Sequence, residues 1–188
     1  MTWIHRYIYD NYYFSKILIS IEENALFPFP MINQSDSLPV TENSRLAFLQ
    51  KYIGAHMTES ISPVGRWLNG KLLDIQEGSM ETEFTVREDM TNPMGVLHGG
   101  IASTILDDVV GTMVYALGRE FAYTSVNLNC DFLHAARLGE VIIASARVIR
   151  AGKNIIHVEG VIFNEEGKII AKCASNLIQT SFKIPDHK

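Results

Sequence analysis

The chain has 188 residues, 47 % of them hydrophobic and 20 % charged, which suits one packed domain with an appendage and excludes long disorder and fibrous repeats. A formal charge of −5 gives no general attraction to nucleic acid or anionic lipid, and no local basic cluster supplies one. Cys130 and Cys173 form neither a disulfide framework nor a Cys-x-x-Cys spacing, so they read as buried apolar thiols in a cytoplasmic protein.

Residues 1–43 read as an N-terminal extension ahead of a domain over 44–188. The stretch Met1–Ile21 is aromatic and aliphatic, yet Arg6, Asp10 and Lys16 interrupt it. It is too short and too charged to span a bilayer, and no cleavage site follows it. Two readings stay open: one helix packing on a neighbouring subunit, or residues ahead of a true start at Met31 or Met57. From Ser44, the helical spacing of Leu46, Leu49 and Ile53 predicts a short helix closed by Gly54. A hairpin follows, with strands Lys71–Gln76 and Met80–Val86 about a Glu77-Gly78-Ser79 turn. Asn69-Gly70 is a rival turn, but it leaves only the stub Val64–Leu68 as a partner strand.

The longest helical pattern runs from Gly99 to Leu117, with Ala102, Ile105, Leu106, Val109, Val110, Met113 and Leu117 on one apolar stripe and Gly118 ending it. After it the period becomes two. Val126, Leu128, Cys130 and Phe132 alternate with polar residues, and three more strands are predicted near Val141–Arg150, Asn154–Phe163 and Lys168–Phe182. The order is helix, hairpin, long helix and four strands. It lacks the strand-helix alternation of a parallel sheet and predicts an α+β protein, an antiparallel sheet with one helix across it. One helix covers one face, so a second copy is expected on the remaining surface, in a homodimer or homotetramer.

Several chemistries are excluded by spacing. No dinucleotide or phosphate-loop glycine pattern is present, and the six histidines form no His-x-x-x-His or His-Glu-x-x-His pair. No metal and no cofactor are expected. His98-Gly99-Gly100 resembles a lipase oxyanion loop, but the Gly-x-Ser-x-Gly elbow that such enzymes need is missing.

The informative segment is Asn92-Pro93-Met94-Gly95-Val96-Leu97-His98-Gly99-Gly100, which leads into the helix bearing Asp107 and Asp108. Glycines at a helix start let a ligand approach the backbone, and first-turn amides lack intrahelical partners. Backed by the helix dipole, they can hold a carbonyl oxygen and its developing charge. Asn92, Gly95, the His-Gly-Gly triplet and a carboxylate nine residues after the histidine resemble the phenylacetate-degradation (PaaI-like) type of hotdog-fold acyl-CoA thioesterases, over about Ser62 to Phe182. The resemblance implies an antiparallel sheet wrapped around a long central helix. It implies a hydrolase releasing free coenzyme A from small to medium acyl thioesters, aromatic ones included. It further implies Asp107 as nucleophile or general base, Gly99 as oxyanion donor, Asn92 positioning water or carbonyl, and Ser125 as a polar helper. His98 and Gly100 complete the loop, and Arg150 and Lys153 are the candidates for the coenzyme A phosphates.

Each residue also has a structural reading. Asp107 can be a solvated helix charge, His98 a cap, Asn92 a turn initiator and Ser125 a sheet-surface residue. Arg150 and Lys153 can be ordinary hairpin-tip charges. Asp108, about 100° away from Asp107 round the helix, reads as structural. Gly111 costs roughly 1 kcal/mol in mid-helix relative to alanine, which points to close helix packing. Asp107 lies roughly 13 Å and half a turn beyond His98, so Gly99 and Asp107 can share one carbonyl only if they come from different subunits. Two rival functions are a non-catalytic acyl-CoA-binding hotdog protein and a hotdog hydroxyacyl dehydratase. The dehydratases resemble a His-Phe-Pro-Gly pattern that this chain lacks.

Overall fold

The computed structural model describes residues 43–185; the expected extension lies outside the described residues, apart from Asn43. Helix α1, Ser44–Gln50, starts where the Asn43 side chain accepts the Leu46 N–H. The same side chain donates to the Ala116 carbonyl at 2.7 Å, so one residue caps two helices. The helix stops short of the expected Gly54, which instead takes φ +86° and donates its N–H to Leu72.

The stub Val64–Leu68 is a helix rather than a strand. Ser62 accepts the Gly65 N–H, Pro63 presets the first turn, and Asn69 closes it in the left-handed conformation at φ 53°. This is α2, Pro63–Leu68, and Asn69-Gly70 serves as its exit rather than as a hairpin turn.

The predicted hairpin is present as β1, Lys71–Gln76, and β2, Ser79–Thr85, paired antiparallel. Met80, Thr82, Phe84 and Val86 are buried while the residues between them are not, as their alternation predicts. A 3-10 turn, Glu88–Met90, leads to helix α3, Gly99–Tyr115. The strands β3, Phe121–Phe132, β4, Val141–Ala151, β5, Ile155–Asn164, and β6, Ile169–Lys183, complete one sheet. Its order is β1-β2-β4-β5-β6-β3, with every pairing antiparallel.

Because β2 lies next to one edge and β3 forms the other, α3 carries the chain across the sheet. It contacts all strands from β2 to β6 on the way. Ala102, Ile105, Leu106, Val109, Val110 and Met113 are all at most 2 % exposed; Leu117, expected on the same stripe, packs only partly. Each full burial of a large aliphatic side chain contributes about 1.5–3 kcal/mol, so α3 is the main apolar element of the core. The opposite sheet face carries Ile155 and Ile178, paired across β5 and β6 and 53 % and 41 % exposed.

Gly70 is required by space. A Cβ there would collide with the Phe84 ring and lie 2.5 Å from Thr82 Cγ2. Gly70→Ala should therefore destabilise the protein by about 1–3 kcal/mol, lowering Tm by roughly 2–4 °C per kcal/mol at this chain size. Thermal unfolding checks this, and an unchanged Tm would contradict it.

Candidate active site

The loop before α3 is closed by backbone bonds. The Asn92 N–H donates to Val96 O at 2.8 Å, Gly95 N–H returns to Asn92 O at 2.9 Å, and His98 N–H donates to Met90 O at 2.9 Å. The Asn92 side-chain oxygen accepts from the Met94 N–H at 2.9 Å and, more weakly, the Val96 N–H at 3.4 Å. This is the turn-forming role of an asparagine before proline. It occupies the oxygen, and the Nδ2 group makes no hydrogen bond among the described residues.

His98 is the N-cap of α3, with extended backbone at φ −66° and ψ 133°. Its Nδ1 accepts the Gly100 N–H at 2.9 Å, and its carbonyl accepts the Ile101 and Ala102 N–H groups. Gly100, expected to face the substrate, thus has its amide engaged within the loop. Among the described residues only the Gly99 N–H of this first turn has no acceptor, so the glycine pair offers one free donor and not two. The Phe132 ring lies beside Gly99, 3.4–3.5 Å from where a Cβ would stand. Sequence alone marks Phe132 only as one position in an alternating strand; its place at the glycine turn comes from the long reach of β3.

Asp107 is exposed on α3, and its Oδ1 accepts the Ser125 hydroxyl of β3 at 3.1 Å. The pair that the sequence placed 18 residues apart is brought together where the helix crosses the edge strand. Asp108 turns the other way. Its Oδ1 accepts the Ser62 hydroxyl at 3.0 Å, and Ser62 also caps α2, so Asp108 ties α2 to α3. Burial raises the Asp108 carboxyl above the ordinary range; the Ser62 hydrogen bond opposes this and the neighbouring Asp107 charge adds to it. Nearby, burial pushes the Cys173 thiol up to about 12, with Cys130 directly opposite it on β3.

Arg150 and Lys153 are exposed at the β4–β5 connection. The Lys153 carbonyl accepts the Tyr123 hydroxyl at 2.6 Å, which fastens that connection to β3 two residues from Ser125. Gly99 and Asp107, by contrast, stay about 12 Å apart along α3. Within the described chain nothing lies within 4 Å of where a Gly111 Cβ would be, so no close packing at this glycine occurs inside one copy. Among the described residues, no helix is long and apolar enough to cross a membrane.

One long helix lying across a six-stranded antiparallel sheet, with a glycine turn at its start and a serine-bound carboxylate along it, defines the hotdog class of proteins. Residues 94–171 match the family profile of the thioesterase superfamily. Human acyl-coenzyme A thioesterase 13 is 31 % identical over 102 residues, covering 54 % of this chain and 73 % of that protein. The Escherichia coli PaaI protein from the phenylacetic acid degradation operon superposes with a TM-score of 0.65 at 20 % identity, covering 76 % of this chain and 99 % of that one. A hypothetical thioesterase protein of Streptococcus pneumoniae TIGR4, solved with coenzyme A, gives a TM-score of 0.58 at 21 % identity, with 62 % and 89 % covered. On the extent of these matches the chain belongs to the thioesterase superfamily, a family of thioester hydrolases, in agreement with the resemblance of its glycine-turn motif.

The Asp108 environment has a measurable consequence. A folded-state pKa above the unfolded value means that the folded chain keeps a proton the unfolded chain has lost. Stability therefore falls as pH rises from the ordinary aspartate value of 3.8 through the higher folded value, and the cost persists above that window. Asp108→Asn retains an acceptor for Ser62 and removes the charge. It should show a Tm near pH 7 equal to or above that of the wild type and a smaller loss of Tm across that window; a Tm several degrees lower would contradict this account.

Proposed function

We propose that the protein hydrolyses acyl-coenzyme A thioesters to free coenzyme A and a carboxylic acid, with Asp107 as its catalytic carboxylate. The observation that carries this reading is the Ser125–Asp107 hydrogen bond on the open face of a helix whose first turn leaves the Gly99 N–H unengaged among the described residues. The name of the human relative and the coenzyme A bound by the streptococcal structure support the choice of acyl carrier.

In this reading the thioester carbonyl oxygen accepts the Gly99 N–H at the positive end of the α3 dipole. Charge that develops on that oxygen is stabilised most in the tetrahedral transition state, which lowers the barrier. Asp107 then attacks the carbonyl carbon, or takes a proton from water that does so. The C–S bond breaks, coenzyme A leaves as its thiolate, and water completes release of the acid. The Ser125 hydroxyl holds the carboxylate in its attacking direction, and the Asn92 Nδ2 group orients water or carbonyl. His98 acts through the loop, by capping. Arg150 and Lys153 supply cations for the coenzyme A phosphates at the mouth of the site.

The 12 Å between Gly99 and Asp107 makes the site one shared by two copies of the chain, with two α3 helices antiparallel and each contributing one half. A homodimer, or a tetramer of two such pairs, follows from the reading. No metal or redox group takes part in it.

Asp107→Asn removes the nucleophile or base while keeping the shape and an acceptor for Ser125. Turnover should fall by about 10²–10⁴ in a thiol-release assay over a panel of acyl-coenzyme A esters, with the oligomer intact by sedimentation. Retention of turnover within tenfold of the wild type would refute the role of Asp107, and no thiol release from any ester by the wild type would instead favour a non-catalytic acyl-CoA-binding protein.

A further inference from the structure

The residue whose N–H is unengaged among the described residues, Gly99, has an aromatic neighbour on its own chain. A Cβ at Gly99 would lie 3.4 Å from Phe132 Cζ and 3.5 Å from both Cε carbons. Such nearly equal distances put that point over the ring face, close to its outer end, rather than beyond the rim. The Gly99 Cα is therefore at most one C–C bond further from the ring, about 5 Å in all. A molecule resting on both would need about 7 Å, twice the usual contact distance, so the gap has no room for water.

Phe132 ends β3 and pairs across to the fully buried Ala171 of β6, so it stands on the sheet face turned to α3. Ser125, which holds Asp107, lies earlier on the same strand. Phe132 remains 56 % exposed in one copy, which leaves ring surface to meet a substrate held at the Gly99 amide. Attack on a thioester turns its neutral carbonyl into an oxyanion. A hydrogen bond and a helix dipole hold that charge more strongly where water is kept away, because the local dielectric is lower. The Phe132 ring provides such a surrounding on one side of Gly99.

We infer that Phe132 is a substrate-contacting wall of the oxyanion site, keeping water from the thioester carbonyl oxygen, and that it belongs to the Gly99 half of the shared site. The inference rests on the proposed function, in which Gly99 of one copy and Asp107 of another meet at one carbonyl. The two side chains of one β3 strand then serve different sites. Ser125 works with the Asp107 of its own copy, and Phe132 works with the Gly99 of its own copy.

The test uses the full-length protein and thiol release from the acyl-coenzyme A ester that the wild type turns over fastest. Phe132→Ala should lower kcat by about tenfold and change KM by less than about threefold, as for an interaction made in the transition state. Loss of an oxyanion donor itself costs on the order of 10²–10³. Phe132→Leu restores an apolar wall and should keep kcat within about threefold of the wild type, whereas Phe132→Gln, of similar bulk but water-binding, should fall about as far as alanine. Mixing then assigns the half. Phe132→Ala exchanged with Asp107→Asn should recover to about a quarter of the wild-type rate, because each mixed dimer has one intact site. Exchanged with Gly99→Val, it should stay at the mean of its parents. Equal kcat in Phe132→Leu and Phe132→Gln, or a lower Tm or lost oligomer as the sole effect of all three substitutions, would overturn the inference and leave Asp107 in place. Recovery with Gly99→Val rather than with Asp107→Asn would overturn it too. Full activity in Asp107→Asn would instead overturn the proposed function, and this inference with it.

Discussion

The burial of α3 against the sheet determines where the chemistry stands. A 17-residue helix with six side chains sealed into the core has no freedom to rotate or slide. Every outward residue along it is therefore fixed relative to the edge strand. Asp107 falls where the helix passes over Ser125, Gly111 one turn further on, and Gly99 at the far end under the Phe132 ring. A side chain on a loop would carry no such guarantee, since loops open locally at little cost.

The same rigidity separates the two halves of the candidate chemistry. Gly99 and Asp107 cannot meet within one chain, because eight residues of helix at about 1.5 Å each lie between them. Adjacent positions also take opposite tasks. Asp108 faces Ser62 and α2, where burial and a single hydroxyl partner hold it as a structural link. Asp107, about 100° round the helix, is exposed, with Ser125 as its partner.

Much of this was legible in residue patterns, and the failures have physical causes. The stripe on α3 and the alternation in the β1–β2 hairpin stand out because burial on one face imposes a period, and both long elements carry enough residues to display it. Helix α2 has six residues, too few for a period, so its Ser62, Pro63 and Asn69 boundary signals were the only clue; Asn69-Gly70 was weighed only as a rival hairpin turn. The glycine turn was found by its composition, but the capture of the Gly100 amide by His98 depends on one side-chain rotation that spacing does not encode. The Ser125–Asp107 contact came from family resemblance, since pairing across a helix and an edge strand follows from sheet order, which no local pattern contains.

The central claim is that an oxyanion donor from one copy works with a carboxylate from another. Mixing two inactive variants tests it most directly: Asp107→Asn, lacking the carboxylate, and Gly99→Val, in which the added side chain blocks the approach to the amide. Once exchanged into mixed dimers, one of the two sites carries both defects and the other neither. Thiol release from acyl-coenzyme A should then recover to about a quarter of the wild-type rate at equal mixing, because half of the dimers are mixed and each has one intact site. Mixed oligomers, verified by mass, that stay as inactive as their parents would contradict a site shared between copies.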